Sequence, residues 1–204
     1  MPTTISGSSG VTYPSGGTAN TAGAGVGTTD TQTLTNKTIT GAVMSSMASS
    51  VITSGTAVAT TSGTAINFNS IPSWVKRITV MFQGVSTNGT SSLQIQLGTG
   101  ATPTYVTSGY VGTFWYSGGG GGTFTTGIGI SASSAANIRS GSVIITSMGS
   151  NVWTAMGAVG LSDIGITSTV GASISLGATL TALRLTTVNG TDAFDAGSIN
   201  LLWE

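Results

Sequence analysis

The sequence predicts an all-β protein, an antiparallel β-sandwich of jelly-roll type behind an extended N-terminal arm. Three observations carry this expectation. From Val51 onward, short apolar runs alternate with period two and are rich in β-branched and aromatic residues. Turn-forming clusters separate these runs at the short spacing of sandwich strands. No stretch shows the 3.6-residue period of a long helix.

The arm comes first. Residues 1–29 include "GSSGVTYPSGGTANTAGAGVG", made mostly of Gly, Ser, Thr and Ala. Such a stretch buries too little surface to fold alone and is expected to be extended, ordered only against a partner. Residues 30–50 form a thin connector. Its last ten, "GAVMSSMASS", place Val43, Met44 and Met47 on one side of a short helix, but that length is unstable alone, so a linker is the expectation.

Residues 51–204 are the expected tip domain, with roughly nine or ten strands. "SGTAVA" and "SGTAIN" repeat with a short offset and are expected to pair as a hairpin. "WVKRITVMF" turns Ile78, Val80 and Phe82 to one side, and "SLQIQLG" turns Leu93, Ile95 and Leu97 inward with Gln94 and Gln96 outward. "YVTSGYVGTFWY", "RSGSVIIT", "VWTAMGAVG", "ASISL" and "ALRLTTV" follow as strands, and "SINLLWE" ends the chain with Ile199, Leu201 and Trp203 on one face. Asn88-Gly89 and Asn189-Gly190 are expected at type I′ turns, where both central residues take positive φ. Trp74 is expected as a core-edge anchor, and Trp153 and Trp203 in the core.

Composition narrows the function. Five basic and five acidic residues balance to zero net charge, and charged residues make up only 5% of the chain, against about 25% in ordinary domains. A neutral surface gives no steering field for nucleic acid or anionic membrane. At 39% hydrophobic, the chain has the means to build a core. No run reaches the roughly 20 apolar residues of a membrane span, and "MPTTISGSSG" lacks the basic and apolar regions of a secretory signal. Strand edges are usually guarded by charge. Lys76 is the one lysine of the β body, so edges are expected to be closed or covered by neighbouring copies.

Catalysis finds little support. The chain has no His and no Cys, which removes imidazole bases, thiolates and most metal ligands. The expectation is a non-enzyme without cofactor or bound metal. Gly118 to Gly122 is expected to be a flexible loop with no helix behind it to hold phosphate. Asp192 and Asp195 form the one close pair of acids; two carboxylates can hydrolyse glycosides or help hold calcium. Their plainer role is structural, Asp192 in its turn and Asp195 opening a strand or pairing with Arg184. The cluster Tyr110, Phe114, Trp115, Tyr116 beside the glycines is the candidate ligand site. Tyr110, Trp115 and Tyr116 would stack on sugar rings while hydroxyls and amides bond to them. The alternative is packing, with Phe114 and Tyr116 turned inward and Trp115 outward, or the reverse.

"DTQTLTNKTITG" (Asp30 to Gly41) resembles a segment found in the thin part of tail-fibre-type proteins of tailed bacteriophages, ahead of a folded tip. Residues 62–98 and 183–204 also resemble small phage and prophage proteins, while about 99–182 matches little. The resemblance implies a virion appendage, a homotrimer held to other virion proteins by its N-terminal arm, with a C-terminal β tip; the neutral, hydroxyl-rich surface suits that tip to host-surface glycan. Leu34 and Ile39 would meet their copies along a threefold axis, with Asp30 and Lys37 at the rim. Many tail fibres are far longer than 204 residues. A head-fibre or decoration protein of the capsid or tail, without receptor binding, is the alternative.

Overall fold

The computed structural model describes residues 52–131 and 134–204. The expected arm and connector, with the candidate shaft residues Leu34 and Ile39, lie outside the described residues. Among the described residues there is no helix and there are fourteen strands. They are β1 (Thr53–Ser54), β2 (Val58–Ala59), β3 (Ala65–Phe68), β4 (Arg77–Thr87), β5 (Leu93–Thr99), β6 (Thr104–Tyr105) and β7 (Val111–Tyr116). Then come β8 (Gly120–Phe124), β9 (Ile128–Ile130), β10 (Arg139–Gly149), β11 (Val152–Leu161), β12 (Ile166–Ser175), β13 (Leu180–Thr187) and β14 (Phe194–Trp203).

These strands form two sheets, and every paired strand is antiparallel. The large sheet runs β1-β14-β4-β10-β11-β12-β7-β8, with β2 also on β14; the small one runs β3-β13-β5-β6, with β9 also on β5. Inside this lies the expected jelly roll. The series β2-β14-β4-β10 in one sheet faces the series β3-β13-β5-β9 of the other, the pairing of a double Greek key. The β7–β8 hairpin is inserted between β5 and β9, and the β11–β12 hairpin between β10 and β13. Both additions join the large sheet and widen it beyond β10.

Period-two burial explains why these segments become strands with these faces. Ile78, Val80 and Phe82 of β4, Val143 and Ile145 of β10, and Ile199 and Leu201 of β14 point inward from the large sheet. Leu93, Ile95 and Leu97 of β5, Leu183 and Leu185 of β13, and Ile128 and Ile130 of β9 join the same core cluster. Burying one such side chain fully is worth about 1.5–3 kcal/mol, so a one-residue slip of register would be very costly.

Several local expectations are corrected. The Asn-Gly segments are not hairpin turns. Asn88-Gly89 connects β4 of the large sheet to β5 of the small one, and Asn189-Gly190 connects β13 of the small sheet to β14 of the large one. A link that crosses between sheets does not need the I′ twist, and of these four residues Gly190 alone has positive φ (70°). The two links are stitched together. Asn88 Oδ1 accepts from Ala193 N–H at 2.9 Å, and Asp192 Oδ2 accepts from Ser91 N–H at 2.9 Å. The two-residue hairpin turn with positive φ at both positions is Ser150-Asn151 (49° and 61°), between β10 and β11.

The two "SGTA" copies do not pair with each other. Val58 and Ala59 join β14, whereas Ala65 to Phe68 join β13 in the other sheet. The run "YVTSGYVGTFWY" is broken at Gly109 (φ 82°) and supplies β6 to one sheet and β7 to the other. Trp74 is 54% exposed and anchors no core edge, whereas Trp153 is buried and Trp203 is half-buried against the core. Gln94 and Gln96 point away from the core, as alternation requires, yet both are covered.

Candidate functional site

Of the glycines expected to form a loop, Gly118 and Gly119 lie in a turn, but Gly120 to Gly122 are strand. Gly120, Gly121 and Gly122 of β8 stand opposite Tyr116, Trp115 and Phe114 of β7. A Cβ on Gly121 would lie 2.6 Å from the Phe114 carbonyl oxygen and 2.7 Å from the Trp115 ring. A Cβ on Gly120 would run into the Tyr116 hydroxyl, and one on Gly122 would lie 2.7 Å from the Phe114 ring. The three rings therefore lie across the glycine strand and supply the packing its own residues lack.

Alternation divides the aromatics between two faces. Phe114 and Tyr116 lie on the inward side, stacked with centroids 6.3 Å apart, and Phe124 meets Phe114 edge-on at 5.3 Å. Trp115 points outward and is 59% exposed. Tyr110 belongs to neither group. It is 2% exposed, and its hydroxyl oxygen accepts the Leu97 N–H at 2.8 Å. The expected three-residue ligand surface is thus not assembled: Tyr110 is core, Tyr116 packs inward, and Trp115 alone faces solvent.

Trp115 stands in a larger surface. Strand register lines up Trp115, Thr169, Ala158, Ser142, Met81 and Asn200 across six strands of the large sheet. The next row is Thr113, Gly171, Met156, Ile144, Thr79 and Leu202. Neither row contains a charged residue. Met156 is 69% exposed with Ile144 exposed beside it, Val111 is exposed one row further along, and a shallow hollow of about 450 Å³ opens between Ile144, Met156, Ala158 and Thr169. Ile144 and Met156 were not singled out in the sequence, although the signal was present. Val143 and Ile145 are core, so period two forces the Ile144 between them outward.

The acids serve the backbone. Asp192 accepts from Asn189 Nδ2 at 2.6 Å as well as from Ser91 N–H, and these bonds hold its carboxyl below the ordinary range. Asp195 accepts the Ser86 hydroxyl, not Arg184. Arg184 instead donates to Asn67 Oδ1 at 2.8 Å and lies over the Tyr105 ring at 3.9 Å. The two acids thus have separate partners, and among the described residues no three acids gather as a metal site would require. Arg139 went unassigned at the sequence level. It is fully buried, donates Nη1 to Asn137 O at 3.0 Å and Nε to Ser131 O at 3.3 Å, and burial brings its pKa down to about 10, with Asp163 and Asp195 pulling upward. It ties the segment before β10 to the sandwich.

No protein family, curated protein or solved structure was found to match the chain.

Proposed function

We propose that this chain is a structural protein of a bacteriophage virion. Three copies form a short fibre, residues 1–29 dock on the particle, 30–50 form the shared shaft, and the sandwich is the outer tip that meets host-surface glycan. The single observation behind the assembly is the outward face of the large sheet, broad, free of charge along its two central rows, and carrying exposed Trp115, Ile144 and Met156. Exposed large apolar residues clustered on an uncharged face of this kind mark a protein contact. The Thr-rich motif from Asp30 to Gly41 adds the fibre. On this reading Trp115 is a contact between copies.

The test is the mass of the intact chain in solution. Light scattering is expected to give three times the 20.1 kDa chain mass. A compact single copy that persists at high dilution would end the proposal. The decoration reading is favoured by the way Trp115 is packed over Gly121 as a structural brace. Binding of the purified chain to host cells separates the two: host-specific binding supports a receptor-reading tip, and its absence with an intact trimer supports decoration.

A further inference from the structure

A second surface lies on the opposite sheet. Register in the small sheet places Ala65, Thr186 and Gln94 in one row and Asn67, Arg184 and Gln96 in the next. Except for Asn67, these residues floor an open hollow of about 440 Å³, bounded by Thr107, Thr126 and the loop from Val188 to Gly190. That is within the range of small-molecule sites. Its floor is polar and already ordered. Gln94 and Gln96 are 3% and 5% exposed. The Thr126 hydroxyl donates to Gln94 Oε1 at 2.7 Å, and Gln96 Nε2 donates to the Thr126 carbonyl at 3.0 Å. Gln94 Nε2 donates to Thr187 O at 3.3 Å. Buried amides fixed in this way belong to a rigid surface and need no reordering when a ligand arrives.

Arg184 is the one charged residue lining the hollow. Its Nε is taken by Asn67 and its plane rests over Tyr105, so the guanidinium is held in place. Its two terminal nitrogens have no hydrogen bond to protein among the described residues. A fixed guanidinium fork with no carboxylate beside it suits a planar anion taken by two parallel bonds. The remaining lining carries hydroxyls and amides, which suit a hydroxylated body. Ala65, Val188 and the threonine methyls make the rest of the lining apolar, a mixture that matches the hydroxyl edges and C–H faces of a sugar ring.

We propose that this hollow binds a small acidic saccharide, with its carboxylate on Arg184 and its hydroxyls on the exposed Thr64 and Thr107 at the rim. The site is on the sheet away from Trp115 and stands independently of the virion reading. The test uses the intact chain and calorimetric titration with digalacturonate, its methyl ester and inorganic phosphate. Digalacturonate is expected to bind, and the methyl ester to bind at least about tenfold more weakly, as for a lost charge-assisted hydrogen bond. Arg184→Met is expected to weaken digalacturonate binding by about ten- to a hundredfold, Arg184→Lys by less, and Trp74→Ala, at an exposed position, not at all. Equal binding of acid and ester, or binding of neither, overturns the proposal. So does phosphate binding as tight as that of digalacturonate, because the hollow would then read charge alone. The comparison of acid with ester needs no variant and decides the matter even if Arg184→Met does not fold.

Discussion

At Leu97 the outer edge of β5 has a gap. β9 covers Leu93 to Ile95 and β6 covers Gly98 and Thr99. The Leu97 N–H, fully buried between them, finds the Tyr110 hydroxyl instead of a strand. Tyr110→Phe would leave that N–H unsatisfied, so urea unfolding at pH 7 is expected to show a loss of about 1–3 kcal/mol. The same burial pushes the Tyr110 pKa from 10 up to about 12, against the pull of the Leu97 N–H. A raised folded-state pKa means stability is complete below pH 10 and falls as pH climbs toward 12. Two units correspond to at most about 2.7 kcal/mol. Tyr105 is also raised by burial, and the lowered pKa of Arg139 acts with the opposite sign over the same range, so the reading is the stability difference between wild type and Tyr110→Phe, which should shrink by up to about 2.7 kcal/mol between pH 10 and 12. A difference that stays constant across that range would mean that Tyr110 does not titrate as its burial requires. Gly197 offers a second residue-scale test. It has φ of 90° at an irregularity of β14, and an added Cβ would run into the backbone of Gly84 and lie 2.6 Å from the Gln83 carbonyl oxygen. Gly197→Ala is expected to cost about 2–5 kcal/mol by urea unfolding, from left-handed strain together with a clash that no rotamer relieves.

Among the elements, the β10–β11 hairpin carries the tight turn, and its residues are not the best for it. Ser150 and Asn151 both take positive φ, and a non-glycine residue there carries a cost of about 1–2 kcal/mol. Asn151→Gly is expected to raise the melting temperature by about 2–4 °C, the shift that roughly 1 kcal/mol gives a domain of this size. A drop would mean that the Asn151 side chain contributes more than its backbone strain. This hairpin also shows what a sequence can disclose. Strands were legible because Ile78, Val80 and Phe82, or Leu93, Ile95 and Leu97, repeat with a period that only a strand places on one face. Turn types were not, because the same Asn-Gly pair serves a hairpin or a link between sheets, and pairing partners decide which. Glycine misled for a related reason. In isolation Gly118 to Gly122 resembles a loop, and only the rings of β7 lying across it make part of it a strand. The aromatic cluster was found, but its division into Tyr110 in the core, Tyr116 inward and Trp115 outward depends on the break at Gly109. The hollow around Arg184 gave no sequence signal, since β3, β13 and β5 are distant in the chain and meet only through the double Greek key.

For the molecule as a whole, charge is the controlling quantity. With zero net charge and 5% charged residues, copies repel each other little, and contact between them is decided by apolar area. The outward face of the large sheet spans six strands at about 4.8 Å spacing and some three outward residues along each, on the order of 500 Å² per copy. A standard stable interface takes about 800 Å² per partner. The sheet face alone is therefore short of that area, and a permanent assembly requires further shared surface, which the proposed shaft from residue 30 to 50 would supply. The centre of the face then becomes the sensitive point. Met156 is exposed in the single copy, so Met156→Asp should leave the fold intact, with an unchanged far-ultraviolet spectrum. Between copies it would enclose a carboxylate with no cation in either central row to meet it, and an unpaired buried charge costs several kcal/mol. Sedimentation of the full chain is expected to show association weakened at least a hundredfold relative to wild type. If the substituted chain keeps the wild-type mass at every dilution, this face is not where the copies meet. If wild type is itself a single copy, the whole assembly is wrong and the apolar rows need another occupant.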